Sequence, residues 1–292
     1  MIFHNSETKT KMEKWTFYNR AVIPTSAPHK PVDTGELDSG EIWKKYPKAL
    51  FARWTDDYDC GTDTDWWYIV CDTPFDIMKL GSGSRRRITR GLKHFECKRI
   101  DPAEYAEEMA CVTEADWKSY PVRDRPKTTH GELVETYRRW SLITHGAFNP
   151  EGKLCAFHGM EDRGDHYVMR SGKSVPSEQK NQVNAALIYT YVTDFSCDIA
   201  KGKYITNGQR NLVHETNFDD DLCAHYGFRK VYCTLRMAFR PSIRPIVNII
   251  YPVRKLFSLF DGIKLFHNVN SVLKMEEIAR KCKAKSKGAA KE

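Results

Sequence analysis

"HETNFDDDLCAHYGFRKVYCTLRMAFR", residues 214–240, decides how the chain is read. An acidic, half-apolar segment runs into Tyr226-Gly227-Phe228, and the residues after it alternate in the manner of a strand. Glycine takes the backbone conformation that ends a helix at little cost. The spacing therefore predicts a short helix, a turn on Gly227 and a last strand over 229–240. That strand is expected to run antiparallel beside the preceding one and to close a sheet.

Upstream, "KYITNG" (203–208) reads as the preceding strand. Before it, "SEQKNQVNAALIYTYVTDFSCDIAKGKYI" (177–205) predicts a long helix with an apolar face at Val183, Ala186, Leu187, Tyr191 and Phe195, stopped near Gly202. "SLITHGAF", "GKLCAFHGME" and "DHYVMRS" are separated by Asn149-Pro150 with Gly152 and by Arg163-Gly164, the pattern of an antiparallel meander. One helix is expected over about 131–142. Another is opened by Asp101-Pro102, with Tyr105, Met109, Val112 and Trp117 at helical spacing. "ECKRI" (96–100) is a strand, and "DIMKLGSGSRRRITRGLKHF" (76–95) is a basic helix broken or begun near its glycines. Three parts are expected: a β-rich lobe over 1–80 with strands at Ala49–Trp54 and Trp66–Cys71, an α/β section over 81–244, and a helical tail over 245–292.

Composition bounds the function. With 292 residues and 41% hydrophobic content, the chain can bury one large core or two modest ones. The nine cysteines lie ten or more positions apart, without CxxC or metal-like spacing, and read as reduced thiols of a cytoplasmic protein. The opening residues hold no apolar run of signal type. Arg254, Lys255, Asp261 and Lys264 interrupt the apolar stretch from Pro245 to Phe266, so no membrane span is expected. Asp56, Asp57, Asp59, Asp63 and Asp65 lack the spacing of a calcium loop, and no metal is expected. Residues 240–292 hold 12 Lys/Arg against 4 Asp/Glu, which leaves 34 of each in residues 1–239. A balanced body argues against a broad nucleic-acid face; a basic tail permits contact with RNA or an anionic surface. Ile249, Val253, Leu256, Phe257, Phe260 and Ile263 recur at helical spacing there. Such a face packs on the body or a second subunit, or lies peripherally on the inner face of a membrane.

The order strand, two helices, three antiparallel strands, long helix, strand, short helix, strand, over roughly 95–240, resembles the GNAT acyltransferase fold. "AALIYTYVTDFSCDIAKGKYITNGQRN" and the basic helix leading into "ECKRI" further resemble the Fem-type branch and its relatives in envelope polysaccharide pathways. The resemblance implies a mixed, mostly antiparallel twisted sheet flanked by helices. It also implies an acyl-CoA thioester in the gap between two splayed strands, its pyrophosphate on the amino end of the long helix.

The family's phosphate signature overlays Gln179-Lys180-Asn181-Gln182-Val183-Asn184, with Gln182 and Asn184 standing where the family has glycines. Arg170, Ser174, Gln179, Lys180, Asn181 and Asn217 are the donor-binding residues this implies. The family's leaving-group acid, a Tyr four residues before the Gly, is Cys223 here, and Tyr226 is the other candidate. His214 and Glu215, ahead of the short helix, are candidates for the base that deprotonates an acceptor ammonium. The basic helix, with Arg85, Arg86, Arg87, Arg90 and Lys93, reads as a phosphate-holding face. Arg86 and Arg90, with Asn207, are taken for the acceptor. His145 and His158 read as core histidines.

An acyltransferase is thus expected to act on an amine or hydroxyl of a small molecule or a cell-envelope glycan precursor. Under the Fem-type resemblance aminoacyl-tRNA replaces acyl-CoA. A GNAT-like fold kept as a binding module and a weak nucleic-acid binder are the other readings.

Overall fold

The structure, a computed structural model, describes residues 14–120, 125–212, 217–257 and 264–289. β1 (Trp15–Tyr18) and β2 (Ala21–Pro24) form a hairpin whose two loop residues, Asn19 and Arg20, have φ of 48° and 65°. Such positive φ values suit the twist of a two-residue turn. Short helices α1 (Gly35–Asp38) and α2 (Glu41–Lys45) precede β3 (Phe51–Asp56) and β4 (Trp67–Cys71). α3 (Ser82–His94) leads into β5 (Glu96–Ile100), α4 (Ala106–Lys118) and α5 (His130–Arg138). A capping box in which Thr129 and Glu132 satisfy each other's backbone groups starts α5. The meander is β6 (Ile143–Phe148), β7 (Leu154–Asp162) and β8 (His166–Ser174). α6 (Val183–Asp194), α7 (Ser196–Ala200), β9 (Tyr204–Gln209), α8 (Phe218–His225), β10 (Arg229–Tyr232) and β11 (Thr234–Phe239) follow. α9 (Arg244–Ile250), α10 (Arg254–Phe257) and α11 (Lys264–Ala289) end the chain.

Two compact units share these elements: Met1–Trp67 with Asn211–Glu215 and Tyr232–Glu292, and Tyr68–Arg210 with Thr216–Val231. The first holds a four-stranded sheet, β1-β2-β3-β11, antiparallel except for β2 beside β3. Its core gathers Trp15, Val22, Ile42, Ala49 and Ala52, with Trp43 and Trp54 packed against it. Arg240 donates to the carbonyls of Trp43, Tyr46 and Ala49, closing the end of α2.

The second unit holds a seven-stranded sheet in the order β10-β4-β9-β8-β7-β6-β5. β5 to β8 pair antiparallel and β8 pairs β9 in parallel. Successive strand residues face opposite sides. Phe148, Leu154 and Phe157 pack with Met109, Val112, Leu133 and Tyr137 of α4 and α5, while Ala147, Cys155 and Ala156 pack with Val183, Ala186 and Leu187 of α6; the adjacent Cys155 and Ala156 share a side because the β6–β7 register shifts at Cys155. This is the mostly antiparallel sheet flanked by helices that the sequence predicts.

Three expectations are corrected. The last strand is two strands: β10 joins the seven-stranded sheet and β11 pairs with β3. At the break the Cys233 N–H donates to the Trp66 carbonyl, and the Cys233 carbonyl accepts from Thr64 Oγ1. The backbone there has left the ladder while the side-chain alternation runs on.

β4, not β10, lies beside β9. Ile69, Val70 and Cys71 are buried in succession, the signature of a strand covered on both faces.

The long helix begins at Val183 rather than near Ser177. Pro176–Asn181 form a 3-10 turn, and Gln182 adopts φ 65°, a conformation no continuous helix contains.

Candidate functional site

β8 and β9 pair only at His166↔Tyr204, Tyr167↔Ile205 and Val168↔Thr206. Both strands then carry a bulge. The β7–β8 register passes from Gly159↔Ser171 to Met160↔Met169, which leaves Arg170 as the extra residue. The β4–β9 register passes from Ile69↔Gly208 to Val70↔Thr206, which leaves Asn207 as the extra one. A bulge increases local twist and takes a residue out of the ladder, so the two strands turn apart where their pairing ends. Past Val168↔Thr206 the facing edges of β8 and β9 carry no ladder pairs with each other.

Three helices bring polar groups to a cluster in the same unit. α3 lies against the start of α6 so closely that a Cβ on Gly91 would sit 2.5 Å from the Gln182 carbonyl oxygen and 3.0 Å from Ala186 N. On α3, Ser84, Ile88 and Gly91 form the buried face, with Arg87 beside them. Arg87 Nε donates to Gln182 Oε1 at 3.2 Å and Nη1 to Asp221 Oδ1 at 2.8 Å. Ser84 Oγ lies 2.7 Å from His225 Nδ1, whose Nε2 is 3.7 Å from Asp221 Oδ1. One guanidinium thus ties α3 to both the α6 start and α8, and one imidazole is held between a hydroxyl and a carboxylate.

Tyr226 follows immediately and is 1% exposed. Burial pushes its phenol up to about 12, with the Arg87 cation pulling the other way. A phenol held so firmly in its protonated form is suited to giving a proton only as strong negative charge develops beside it. Gly227 turns the chain after it at φ 74°, with Phe75 packed against its α-carbon side.

The other sequence-derived candidates fall as follows. Asn207 donates to Asp219 Oδ1 at 2.7 Å; burial raises the Asp219 carboxyl, and this hydrogen bond opposes the shift. Arg170 is exposed and paired with Glu161. Ser174 is buried and accepts from Gln179 at 3.5 Å, Asn181 donates to Glu178 at 3.2 Å, and Lys180 is exposed. Asn217 is the exposed N-cap of α8 and makes no side-chain cap bond. Cys223 is half-buried, and burial pushes its thiol up to about 11. Arg86 and Arg90 point outward, whereas Arg87 turns inward. His214 and Glu215 lie outside the described residues. Sequence reasoning missed Ser84, Asp221 and His225. The readable signal was the four- and three-residue spacing of Ser84, Ile88 and Gly91, which marks the face of α3 that meets α6.

His145 and His158 are cross-strand neighbours and both buried, as expected of core histidines. His145 Nε2 is 2.7 Å from Asp194 Oδ2, and Arg99 also donates to that carboxylate. The Nδ1 atoms of both rings have no hydrogen-bond partner among the described residues.

Among solved structures the chain resembles FemX, with a TM-score of 0.52 and 10% identity over 81% of this chain and 85% of that one. It also resembles the C-terminal domain (DUF2156) of a putative lysylphosphatidylglycerol synthetase from Agrobacterium fabrum, with a TM-score of 0.49 and 12% identity over 80% and 82% of the two chains. L-PGS from Bacillus licheniformis matches with a TM-score of 0.49 and 12% identity over 91% and 85%. No protein-family model matches the chain, and no curated protein matches it in sequence. Identities this low speak to the fold, which is GNAT-like in the manner of FemX.

Proposed function

We propose that the protein is an acyltransferase that moves an acyl group from an activated thioester or ester onto an amine or hydroxyl of a small molecule or a cell-envelope glycan precursor. The observation that carries this reading is the end of the β8–β9 pairing at Val168↔Thr206, with bulges at Arg170 and Asn207 just beyond it, which we read as strands parting within a FemX-like fold. Backbone N–H groups along those edges would serve to polarise a donor carbonyl, and positioning does most of the work in such a reaction.

Side-chain roles follow from the cluster. His225, held between Ser84 Oγ at 2.7 Å and the Asp221 carboxylate at 3.7 Å, is the candidate to take the acceptor's proton. The acceptor nitrogen or oxygen then bonds to the acyl carbon, the bond from that carbon to the donor sulfur or oxygen breaks, and Tyr226 protonates the departing atom.

Acyl-CoA is the first donor to test. Aminoacyl-tRNA is the second, and one observation favours it. Gly91, Arg87 and Gln182 pack over the first turn of α6, where a CoA pyrophosphate would otherwise meet bare backbone N–H groups. Titration calorimetry with CoA, acetyl-CoA and longer acyl-CoAs, followed by transfer assays with charged tRNA, separates the two. Heat and a raised Tm with an acyl-CoA support the first donor. Transfer only from charged tRNA supports the second. Neither binding nor transfer with any donor overturns the acyltransferase reading and leaves a binding module.

A further inference from the structure

Residues 244–257 run through α9, a 3-10 turn at Tyr251–Val253 and α10. One face of this stretch is fixed to the protein. Val247 is buried, and Tyr251 lies between the Arg254 and Arg280 guanidinium groups, 4.4 and 3.8 Å from its ring centre. Arg254 Nε donates to Glu277 of α11 at 3.0 Å, and Arg280 donates to Asn248 at 3.2 Å. The stretch is therefore held in one orientation about its axis.

The opposite face carries Ile246, Ile249 and Val253, spaced three and four residues apart and 53%, 74% and 45% exposed. Exposed Arg244 and Lys255 bracket them in sequence. Residues 283–287 add Lys283, Lys285 and Lys287 in sequence, part of the 12 Lys/Arg against 4 Asp/Glu in residues 240–292. Three aliphatic side chains turned to solvent within a strongly cationic segment form the combination that binds an anionic interface.

We propose that this face docks on an anionic lipid bilayer, with Ile246, Ile249 and Val253 entering the headgroup boundary and the surrounding cations meeting lipid phosphates. Nucleic acid would match the charge but gives aliphatic side chains nothing to bury against. A second copy would match the apolar face but brings two cationic segments together. No helix among the described residues is long and apolar enough to cross a membrane, so the contact is a surface one. The inference is independent of the acyl-transfer reading.

Sedimentation of the full chain with vesicles tests it. The protein should pellet with phosphatidylcholine vesicles containing phosphatidylglycerol, stay in solution with pure phosphatidylcholine, and be released as salt is raised. Ile249→Glu should lower partitioning by about 10-fold or more while circular dichroism and Tm stay unchanged, because the Ile249 side chain is largely exposed. Reversing Arg244 or Lys255 should lower it by roughly 5-fold or more each. Absence of pelleting with the anionic vesicles overturns the proposal. So does partitioning that Ile249→Glu leaves intact, a dimer that the same substitution dissociates, or RNA binding that depends on Arg244 and Lys255 where vesicle binding is lacking.

Discussion

Arg170 and Asn207 are each the extra residue of a β-bulge, one on β8 and one on β9, and both follow the last parallel pair, Val168↔Thr206. Two strands that bulge at the same level twist away from one another instead of continuing their ladder. The end of the β8–β9 ladder is thus a matter of backbone pairing, and neither residue's side chain is needed for it. Arg170 is engaged by Glu161 and Asn207 by Asp219.

Replacing Asn207 by Ala removes the donor from a half-buried carboxylate that burial already raises. A lost hydrogen bond to a charged acceptor costs about 1–2 kcal/mol after allowance for partial solvent access. Urea denaturation at neutral pH should show a loss of that size, and Asn207→Asp, which sets two carboxylates together, should show a larger one. Unchanged midpoints for both would mean that the bond contributes nothing.

Gly91 of α3 lies directly against the backbone at the start of α6. A methyl group there meets backbone at 2.5 and 3.0 Å, so the flexible end of a side chain cannot absorb the clash. Gly91→Val should destabilise the unit by about 1–3 kcal/mol and lift α3 away from the start of α6, breaking the Arg87–Gln182 contact. Gly83→Ala on the same helix meets open space and is the control. Tm values for the two variants, measured together, check the difference.

Tyr226→Phe removes only a hydroxyl. Under the proposed reaction the turnover number should fall by roughly 100-fold or more with donor affinity intact. Cys223→Ala tests the residue at the position the family gives to its acid. Its thiol, pushed by burial up to about 11, should matter little. A steady-state comparison of kcat in the two variants with the unsubstituted protein decides between them; turnover unchanged by both substitutions leaves neither as the acid.

His158 supplies a pH dependence. Burial, reinforced by neighbouring His145, pulls its pKa from 6.5 down to about 3 in the folded protein. Above 6.5 the ring is neutral folded or unfolded, and its contribution is fully present. As pH falls from about 6.5 toward 3, the unfolded chain binds a proton that the folded form refuses, so stability is lost by up to about 1.4 kcal/mol per pH unit for this group. His145, also lowered by burial, adds loss in the same direction. Denaturation measured at several pH values between 7 and 4 should show the decline, and His158→Leu should flatten it by one proton's worth.

Much of this protein is written locally in the chain. Apolar alternation with Asn149-Pro150 and Arg163-Gly164 marks the meander, helical spacing marks α4, and Gly227 marks the turn after α8, because each depends on neighbours a few residues away. Tertiary pairing decided the rest. The alternation through 229–239 is the same whether the residues form one strand or two, and only the partners of Cys233 divide it. The place of β4 between β9 and β10 is a choice of partner made across more than a hundred residues. The cluster of Ser84, Arg87, Asp221 and His225 unites residues far apart in sequence whose individual character is that of ordinary helix surface. A period in the sequence fixes which face of an element is apolar; which other element covers that face is settled by packing the whole chain.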